Sequence, residues 1–168
     1  MIDVIDLKKT FGDLEVLKGI NVTINKGDIV VVIGPSGSGK STFLRCLNCM
    51  EDPTSGSIIF NGVDIADMRV DINIHRRHMG MVFQHFNLFN NMTVIENIMM
   101  APVYVRCKEL KKAKRKGTLA PDAPKTKAEI KAQAREEALG LLRRIGLEDK
   151  ADVYPSTLSG GQKQRVAI

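Results

Sequence analysis

The sequence predicts an α/β fold built around a buried parallel sheet. Residues 28–33 and 79–83 are short apolar runs, and such runs are typical of strands buried on both faces of a parallel sheet. The first run leads directly into a glycine-rich loop, and a helix is predicted from residue 40 to about residue 49. Together these segments predict the core of the protein.

Three further segments are predicted strands, at residues 2–8, 16–24 and 57–60, because they alternate or are rich in β-branched side chains. The Asn61-Gly62 pair after the third segment is typical of a tight hairpin turn. A short helix over residues 72–78 leads into the second buried strand.

Two longer helices are predicted from their capping patterns. A capping box formed by Thr93 and Glu96 begins the first, and a second box formed by Thr126 and Glu129 begins the other. Gly146 stands where the second helix needs a C-terminal cap. Apolar residues at helical spacing give this helix one buried face: Ile130, Ala134, Ala138, either Leu141 or Leu142, and Ile145.

Composition limits the class of protein. The 168 residues are enough for one domain, and 43% hydrophobic with 26% charged residues is typical of a globular chain. No apolar run approaches the roughly 20 residues of a membrane-spanning helix, and the N-terminus lacks the pattern of a secretory signal. We therefore expect a protein that stays in the cytoplasm. The low aromatic content, with no Trp and two Tyr, argues against nucleic-acid binding by base stacking.

The cysteines and histidines predict no metal site. Cys46 and Cys49 form a C-x-x-C within a predicted helix, but a zinc site would need two more ligands nearby. Small apolar side chains in a reducing compartment are the expected role of these two and of Cys107. The histidines are scattered, at His75, His78 and His85.

A phosphate-binding loop is predicted at residues 34–41, which match the pattern G-x-x-x-x-G-K-[ST] at every fixed position. Glycines let the backbone curl so that its N–H groups point at phosphate oxygens, and the following helix adds its positive end. Lys40 offers a cation to the β- and γ-phosphates, and Ser41 offers a hydroxyl to Mg²⁺. The alternative is a structural glycine turn, but the predicted strand before and helix after favour nucleotide binding. The predicted nucleotide-binding residues of this segment are Gly34, Pro35, Ser36, Gly37, Ser38, Gly39, Lys40, Ser41 and Thr42.

A second motif indicates the family. Residues 158–162 read LSGGQ, which matches the signature of ABC-family ATPases at all five positions. With both motifs in this order, the whole chain resembles ABC-family ATPases. The flanking segments are similar to those of the polar amino acid importers: Phe11-Gly12 before the loop, MVFQ at 81–84, FNLF at 86–89, and LSGGQKQRVAI at 158–168.

The resemblance implies a P-loop NTPase of ABC type, with a mostly parallel core sheet, an antiparallel β subdomain and a helical subdomain. It assigns the core and the antiparallel β subdomain to residues 1–92, the helical subdomain to 93–157, and the signature with the start of its helix to 158–168.

The resemblance also implies a core that is incomplete at the C-terminus. In this family an Asp for Mg²⁺, a general-base Glu and a switch histidine come after the signature helix, and no Asp or Glu of this sequence follows an apolar strand in the required way. We hypothesise an N-terminal fragment that hydrolyses ATP poorly or not at all by itself. Its uncovered sheet edges should favour aggregation.

Functional residues carried over from the family complete the predicted site. Phe11 occupies the place of the aromatic that stacks on adenine; the alternative is a core Phe near a strand end. Gln84 occupies the Q-loop position, which contacts Mg²⁺ or the attacking water and whose loop meets the transmembrane subunit; the alternative is an ordinary loop glutamine. Four signature residues are expected to cap ATP held by a second copy in a head-to-tail homodimer: Ser159, Gly160, Gly161 and Gln162.

The implied cofactors are ATP and Mg²⁺. The implied partners are a second ATP-binding subunit, transmembrane permease subunits and, indirectly, an extracytoplasmic amino acid-binding protein, at the cytoplasmic face of the cell membrane; no nucleic-acid partner is expected. Two alternatives stay open. One is a soluble ABC protein acting on ribosomes or DNA, although those usually carry duplicated cassettes or long coiled coils. The other is an inactive truncated remnant.

Residues 106–127 depart from the family, which is expected to run more directly from helix to helix at this point. Nine basic residues, opposed by Glu109 and Asp122 alone, give this stretch a charge of +7, whereas the whole chain carries +6. Gly117, Pro121 and Pro124 block a continuous helix, so we expect an exposed insertion. A solvated surface loop, a contact with anionic lipid headgroups and a nucleic-acid contact are the three interpretations. The basic residues are Arg106, Lys108, Lys111, Lys112, Lys114, Arg115, Lys116, Lys125 and Lys127.

Overall fold

Four strands within the first 64 residues form an antiparallel sheet in the computed structural model, which describes residues 1–121 and 123–168. The strands are β1 (Ile2–Phe11), β2 (Leu14–Ile24), β3 (Ser55–Phe60) and β4 (Val63–Asp64), in the spatial order β2-β1-β3-β4. The three strands predicted from alternation are confirmed, and each is longer than predicted. Asp122, one of the two acidic residues counted in the basic stretch, lies outside the described residues.

The turn between β3 and β4 has the backbone conformation that its Asn61-Gly62 sequence predicts. Asn61 and Gly62 have φ angles of 50° and 85°, and Phe60 pairs with Val63 directly across the turn. Two consecutive positive φ angles match the twist of the strands in a two-residue hairpin, and Asn-Gly adopts them at the lowest cost. The predicted hairpin turn is confirmed.

The chain divides into two compact units, Met1–Met81 and Val82–Ile168. In the first unit, helix α1 (Lys40–Leu47) shares one core with the sheet. Phe43 and Cys46 of α1 are buried in this core with Leu7 and Ile58 of the strands. The short helix α2 (Ile72–Arg76) is joined to the segment after α1, because the Arg76 guanidinium donates to the Asn48 and Cys49 carbonyls.

The two predicted strands of the parallel core are not formed, and those predictions were wrong for this chain. Residues 28–33 and 79–83 have no strand structure. Ile29 and Ile33 are 93% and 87% exposed, and Val82 is 49% exposed. A strand needs neighbours for its backbone hydrogen bonds, and in the described part of the chain β1 to β4 pair only with one another.

The second unit is helical and contains α3 (Val94–Lys116), α4 (Lys127–Arg144) and α5 (Gly160–Ala167), with 3₁₀ turns at Glu148–Lys150 and Pro155–Thr157. Its core is formed by side chains from several of these segments, including Val94, Ile95, Ala138, Leu142, Leu147 and Leu158. Within residues 1–121 and 123–168, no helix is both long and apolar enough to cross a membrane.

Helix α3 starts at the predicted capping box. The Thr93 N–H donates to the Glu96 carboxylate at 2.8 Å, and the Glu96 N–H donates to the Thr93 hydroxyl at 3.4 Å. The helix ends at Lys116, and Gly117, which has a φ of 66°, is its C-terminal cap. Gly117 therefore does stop the helix as predicted, but the first half of the basic stretch, residues 106–116, belongs to α3 and is not a separate insertion.

Helix α4 buries the predicted apolar face and settles the choice between two leucines. Leu142 is fully buried, whereas Leu141 is 49% exposed. At the C-terminus the Gly146 N–H donates to the Arg143 carbonyl at 3.1 Å, and the Leu147 N–H donates to the Leu142 carbonyl at 2.9 Å. This is the Schellman arrangement, with Gly146 in the left-handed conformation and the expected apolar contact between Leu142 and Leu147. The C-terminal cap predicted at Gly146 is confirmed.

The two adjacent leucines of α4 allow a matched test of this packing. Leu142→Ala should lower the free energy of unfolding of the helical unit by about 2–5 kcal/mol, because it opens a cavity in the core. Leu141→Ala should lower it by less than about 1 kcal/mol, because its side chain is half exposed. Urea unfolding followed by circular dichroism measures both. Equal losses in the two variants would contradict the described register of α4.

Candidate functional site

The predicted phosphate-binding loop passes into α1 through Gly39, which has φ and ψ angles of 85° and 5°. A Cβ atom at this position would lie 2.9 Å from Cγ1 of Val16 and 3.3 Å from the Val16 carbonyl oxygen. Both the left-handed backbone and the close approach of β2 therefore require glycine. Glycine at this position therefore allows α1 to begin close to β2.

Lys40 folds back over the loop that precedes it. Its ammonium nitrogen donates to the carbonyls of Gly34 and Pro35 at 2.8 and 2.6 Å, and it lies 3.5 Å from the Ser38 hydroxyl. A phosphate oxygen is a stronger acceptor for an ammonium group than a neutral carbonyl. The lysine is therefore held where an anion entering the loop can take over its hydrogen bonds.

The first turn of α1 adds further donors. The Phe43 N–H donates to the Gly39 carbonyl and closes the first turn, and the N–H groups of the residues before it have no partner inside the helix. The turn contains no acidic residue that would oppose an anion. Ser41 is exposed and Thr42 is half-buried at this end. The curled loop, the lysine and the helix N-terminus therefore fit the phosphates of a nucleotide.

Phe11 stands at the end of β1 and is 45% exposed. Lys9 of the same strand places its ammonium nitrogen 4.8 Å from the centre of the ring, a geometry that gives a cation–π attraction. The exposed ring belongs to no core cluster of the described residues. This favours a ligand-stacking role over a core Phe, and the adenine contact stays a prediction.

Gln84 lies in the second unit, whereas the phosphate-binding loop lies in the first. Its side chain is exposed, at a bend in the segment that precedes α3. The exposure leaves its amide available to a ligand. The roles of Gln84 and Ser41 toward Mg²⁺ stay predictions.

The signature motif forms the start of α5. The Ser159 N–H donates to the Gln162 side chain at 2.8 Å, and the Gln162 N–H donates to the Ser159 hydroxyl at 3.3 Å. These reciprocal bonds form a capping box of the S-x-x-Q type, which was not predicted here although its pattern is present in the sequence. Gly160 and Gly161 are the first two residues of the helix and are exposed.

The residue before the motif anchors it. Leu158 is 5% exposed and packs in the core of the helical unit with Leu147 and Val94. On α5 itself the Arg165 guanidinium donates to the Ile145 carbonyl at 3.1 Å, which ties the helix to the end of α4. A buried anchor and a capped first turn therefore fix the direction in which the glycine N–H groups point.

The two cysteines of the C-x-x-C pair are part of the first core. Burial raises the pKa of the Cys46 thiol, and it raises the pKa of the Cys49 thiol to about 11. The Cys49 thiol donates to the Ile65 carbonyl at 3.2 Å. Both side chains are neutral and buried, as packing residues are. Among residues 1–121 and 123–168 no cluster of His, Cys, Asp or Glu could hold a metal ion.

Comparisons with known proteins agree with these two motifs. Residues 17–168 match the profile of the ABC transporter family. The chain is 49% identical over 168 residues to the arginine transport ATP-binding protein ArtM of Bacillus subtilis, covering 100% of this chain and 61% of the relative. It is 47% identical over 163 residues to the glutamine transport ATP-binding protein GlnQ of Geobacillus stearothermophilus, covering 96% of this chain and 58% of the relative.

The solved structures lead to the same family. The dimeric, ADP- and Pi-bound form of the ATP-binding cassette MJ0796 superposes with a TM-score of 0.74 at 30% identity, covering 99% of this chain and 67% of that one. The chain therefore belongs to the ABC transporter family. This confirms the ABC-type fold predicted from the sequence, with its antiparallel sheet and its helical part, although the two parallel core strands are not formed in this chain. The chain spans about 60% of the length of the curated relatives that it matches.

The capping box of α5 predicts a stability effect that does not depend on any nucleotide. Gln162→Ala should lower the free energy of unfolding by about 1 kcal/mol, because the Ser159 N–H loses its acceptor. Gln162→Glu should stay within about 0.5 kcal/mol of the unmodified protein, since a carboxylate accepts the same bond and suits the helix N-terminus. Thermal unfolding measures both. A Glu variant as unstable as the Ala variant would contradict the capping role.

Proposed function

We propose that this chain is the N-terminal part of the ATP-binding subunit of an ABC importer for polar amino acids, which couples ATP binding and hydrolysis to uptake. One observation supports this proposal above the others: a single chain carries both a lysine-lined phosphate loop and a capped signature helix. The relatives are named as glutamine and arginine transport proteins, which favours a polar amino acid as the solute.

The phosphates of ATP would be held by Lys40 and by the backbone N–H groups of residues 34–42 other than Pro35, which has none. Mg²⁺ would be held by the Ser41 hydroxyl and the Gln84 side chain, and it supplies charge neutralisation on the phosphates when bound. Phe11 would stack on the adenine. The structure supports the first of these roles most strongly, because Lys40 and α1 are already arranged around the loop.

A second copy would complete each site. The signature residues Ser159 to Gln162 would cap a nucleotide held by the loop of the partner copy, in a head-to-tail homodimer. Two facts support this arrangement. Residues 34–38 and 159–161 are exposed beside the N-termini of helices, and the similar MJ0796 cassette is described as dimeric in both of its structures.

The remaining sheet and catalytic groups would come from a longer parent protein. The exposed apolar residues 28–33 support this, because such a segment is stable in water only when other strands cover it. The Asp, Glu and His expected from the family would lie in that missing part. The chain alone would therefore bind nucleotide but hydrolyse it poorly or not at all. We also propose the three subdomain ranges 1–92 for the core and antiparallel β subdomain, 93–157 for the helical subdomain, and 158–168 for the signature and the start of its helix.

The permease subunits would contact the helical unit at a groove of about 750 Å³ between α3 and α4. Its floor includes Ile95, Met99 and Val103, and its rim includes Lys108, Lys111 and Lys131. A Met-containing apolar floor accepts the apolar face of a helix, which is a common mode of recognition. An extracytoplasmic amino acid-binding protein would act through the permease, and the subunit would lie at the cytoplasmic face of the membrane.

Nucleotide binding is tested with Lys40→Ala and with Lys26→Ala, which removes an exposed lysine from a turn outside the loop. Lys40→Ala should weaken ATP binding about 100-fold, because a hydrogen bond between charged groups contributes about 1.5–3 kcal/mol. Lys26→Ala should bind as the unmodified protein does. Titration with a fluorescent ATP analogue measures the affinities, and equal affinities in the two variants would contradict the site.

The transport role is tested in cells that lack the parent gene. Complementation with the parent protein, or with its Lys26→Ala variant, should restore uptake of at least one radiolabelled polar amino acid. The Lys40→Ala variant should not restore it. Uptake that is the same with and without the gene, across a panel of polar amino acids, would favour the soluble ABC protein or the inactive remnant.

A further inference from the structure

The last turns of α3 carry an exposed basic cluster, which we define by six residues: Lys108, Lys111, Lys112, Lys114, Arg115 and Lys116. All six are exposed. Arg106 differs from them, because it is half-buried and donates to the Glu137 carboxylate at 2.7 Å. Arg106 therefore joins α3 to α4 through a salt bridge, which is a structural role. The cluster requires another explanation.

The helix dipole explains only part of the cluster. Cations in the last turn of a helix interact favourably with its negative end, and Lys114, Arg115 and Lys116 stand there. Lys108, Lys111 and Lys112 lie earlier, where this effect has faded. Residues 106–127 together carry +7, more than the +6 of the entire chain. Such a concentration repels itself, and an anionic ligand relieves the repulsion.

The chemistry of the cluster favours a diffuse anionic surface over a nucleic acid. The cluster itself contains no aromatic side chain on which a base could stack, and the single aromatic side chain of α3 is Tyr104, one turn before Lys108. Five of the six cations are lysines, which act as mobile point charges and lack the planar fork with which arginine binds a single phosphate or base. A polybasic helical segment of this composition is typical of binding to anionic phospholipids.

The position of the cluster also favours anionic phospholipids as its ligand. Lys108 and Lys111 also line the groove between α3 and α4. We propose that the basic cluster binds the anionic headgroups of the membrane, next to the groove that receives the permease. The choice of a membrane rests on the proposed function, whereas the charge and exposure of the cluster do not depend on it.

The proposal is tested with the parent protein and vesicles, without permease or nucleotide. The triple variant Lys112→Gln, Arg115→Gln, Lys116→Gln spares the groove. Its matched control, Lys18→Gln, Lys26→Gln, Arg144→Gln, removes three exposed cations elsewhere. The parent protein should co-sediment with vesicles containing about 30% phosphatidylserine, and not with pure phosphatidylcholine. Because each basic residue near such a surface contributes about five-fold in partitioning, the cluster variant should bind roughly 100-fold more weakly.

Three results would overturn the proposal. They are equal binding by the cluster variant and its control, binding that is unchanged between 0.05 and about 0.5 M salt, and tighter binding of the cluster to a single-stranded RNA than to the vesicles. Failure here is distinguishable from failure of the proposed function. Restored amino acid uptake without vesicle binding would contradict only the lipid contact, and vesicle binding without uptake would contradict only the transport role.

Discussion

A β-strand persists only where neighbouring strands accept and donate its backbone hydrogen bonds, and this requirement organises the first unit. β1 has a partner on each side, β2 and β3, and its inward side chains Val4 and Leu7 are buried. The segment 28–33 is more apolar than any of these strands, yet it stays exposed because no strand of the described chain pairs with it. Hydrophobicity alone does not make a strand.

The consequence for function is that the phosphate loop is supported on one side only. Its C-terminal half is fixed by Gly39 against Val16 and by α1, whose buried residues belong to the core of the antiparallel sheet. Its N-terminal half follows the exposed segment. Lys40 joins the two halves through the carbonyls of Gly34 and Pro35. The lysine therefore orders the loop in the absence of a phosphate and is free to exchange partners when one arrives.

Short-range chemistry was predictable from the sequence, and long-range pairing was not. The hairpin at Asn61-Gly62, the capping box at Thr93 and the Schellman cap at Gly146 each depend on residues within six positions of one another. The burial of residues 28–33 depends on distant strands, so a local pattern could not decide it.

One feature was left open by the sequence and another was missed. Which of Leu141 and Leu142 is buried depends on the rotation of α4 about its axis relative to the core. Adjacent residues differ in direction by about 100°, and the spacing of apolar residues does not define the buried face of a helix more narrowly than that. The cap at Ser159 and Gln162 was overlooked because the motif was assigned to ligand binding alone. The same polar atoms that hold the first turn of α5 together leave the glycine N–H groups of that turn exposed for a ligand.

Hydrogen exchange at residues 28–33 tests most directly the claim that this chain is part of a larger parallel sheet. Amide exchange should be compared between the 168-residue chain and the parent protein, with the amides of β1 as the internal standard that is protected in both. We expect the amides of 28–33 to exchange freely in the 168-residue chain and to be protected at least about 1,000-fold in the parent, as for core strands. Equal protection in the two proteins, high or low, would contradict the account.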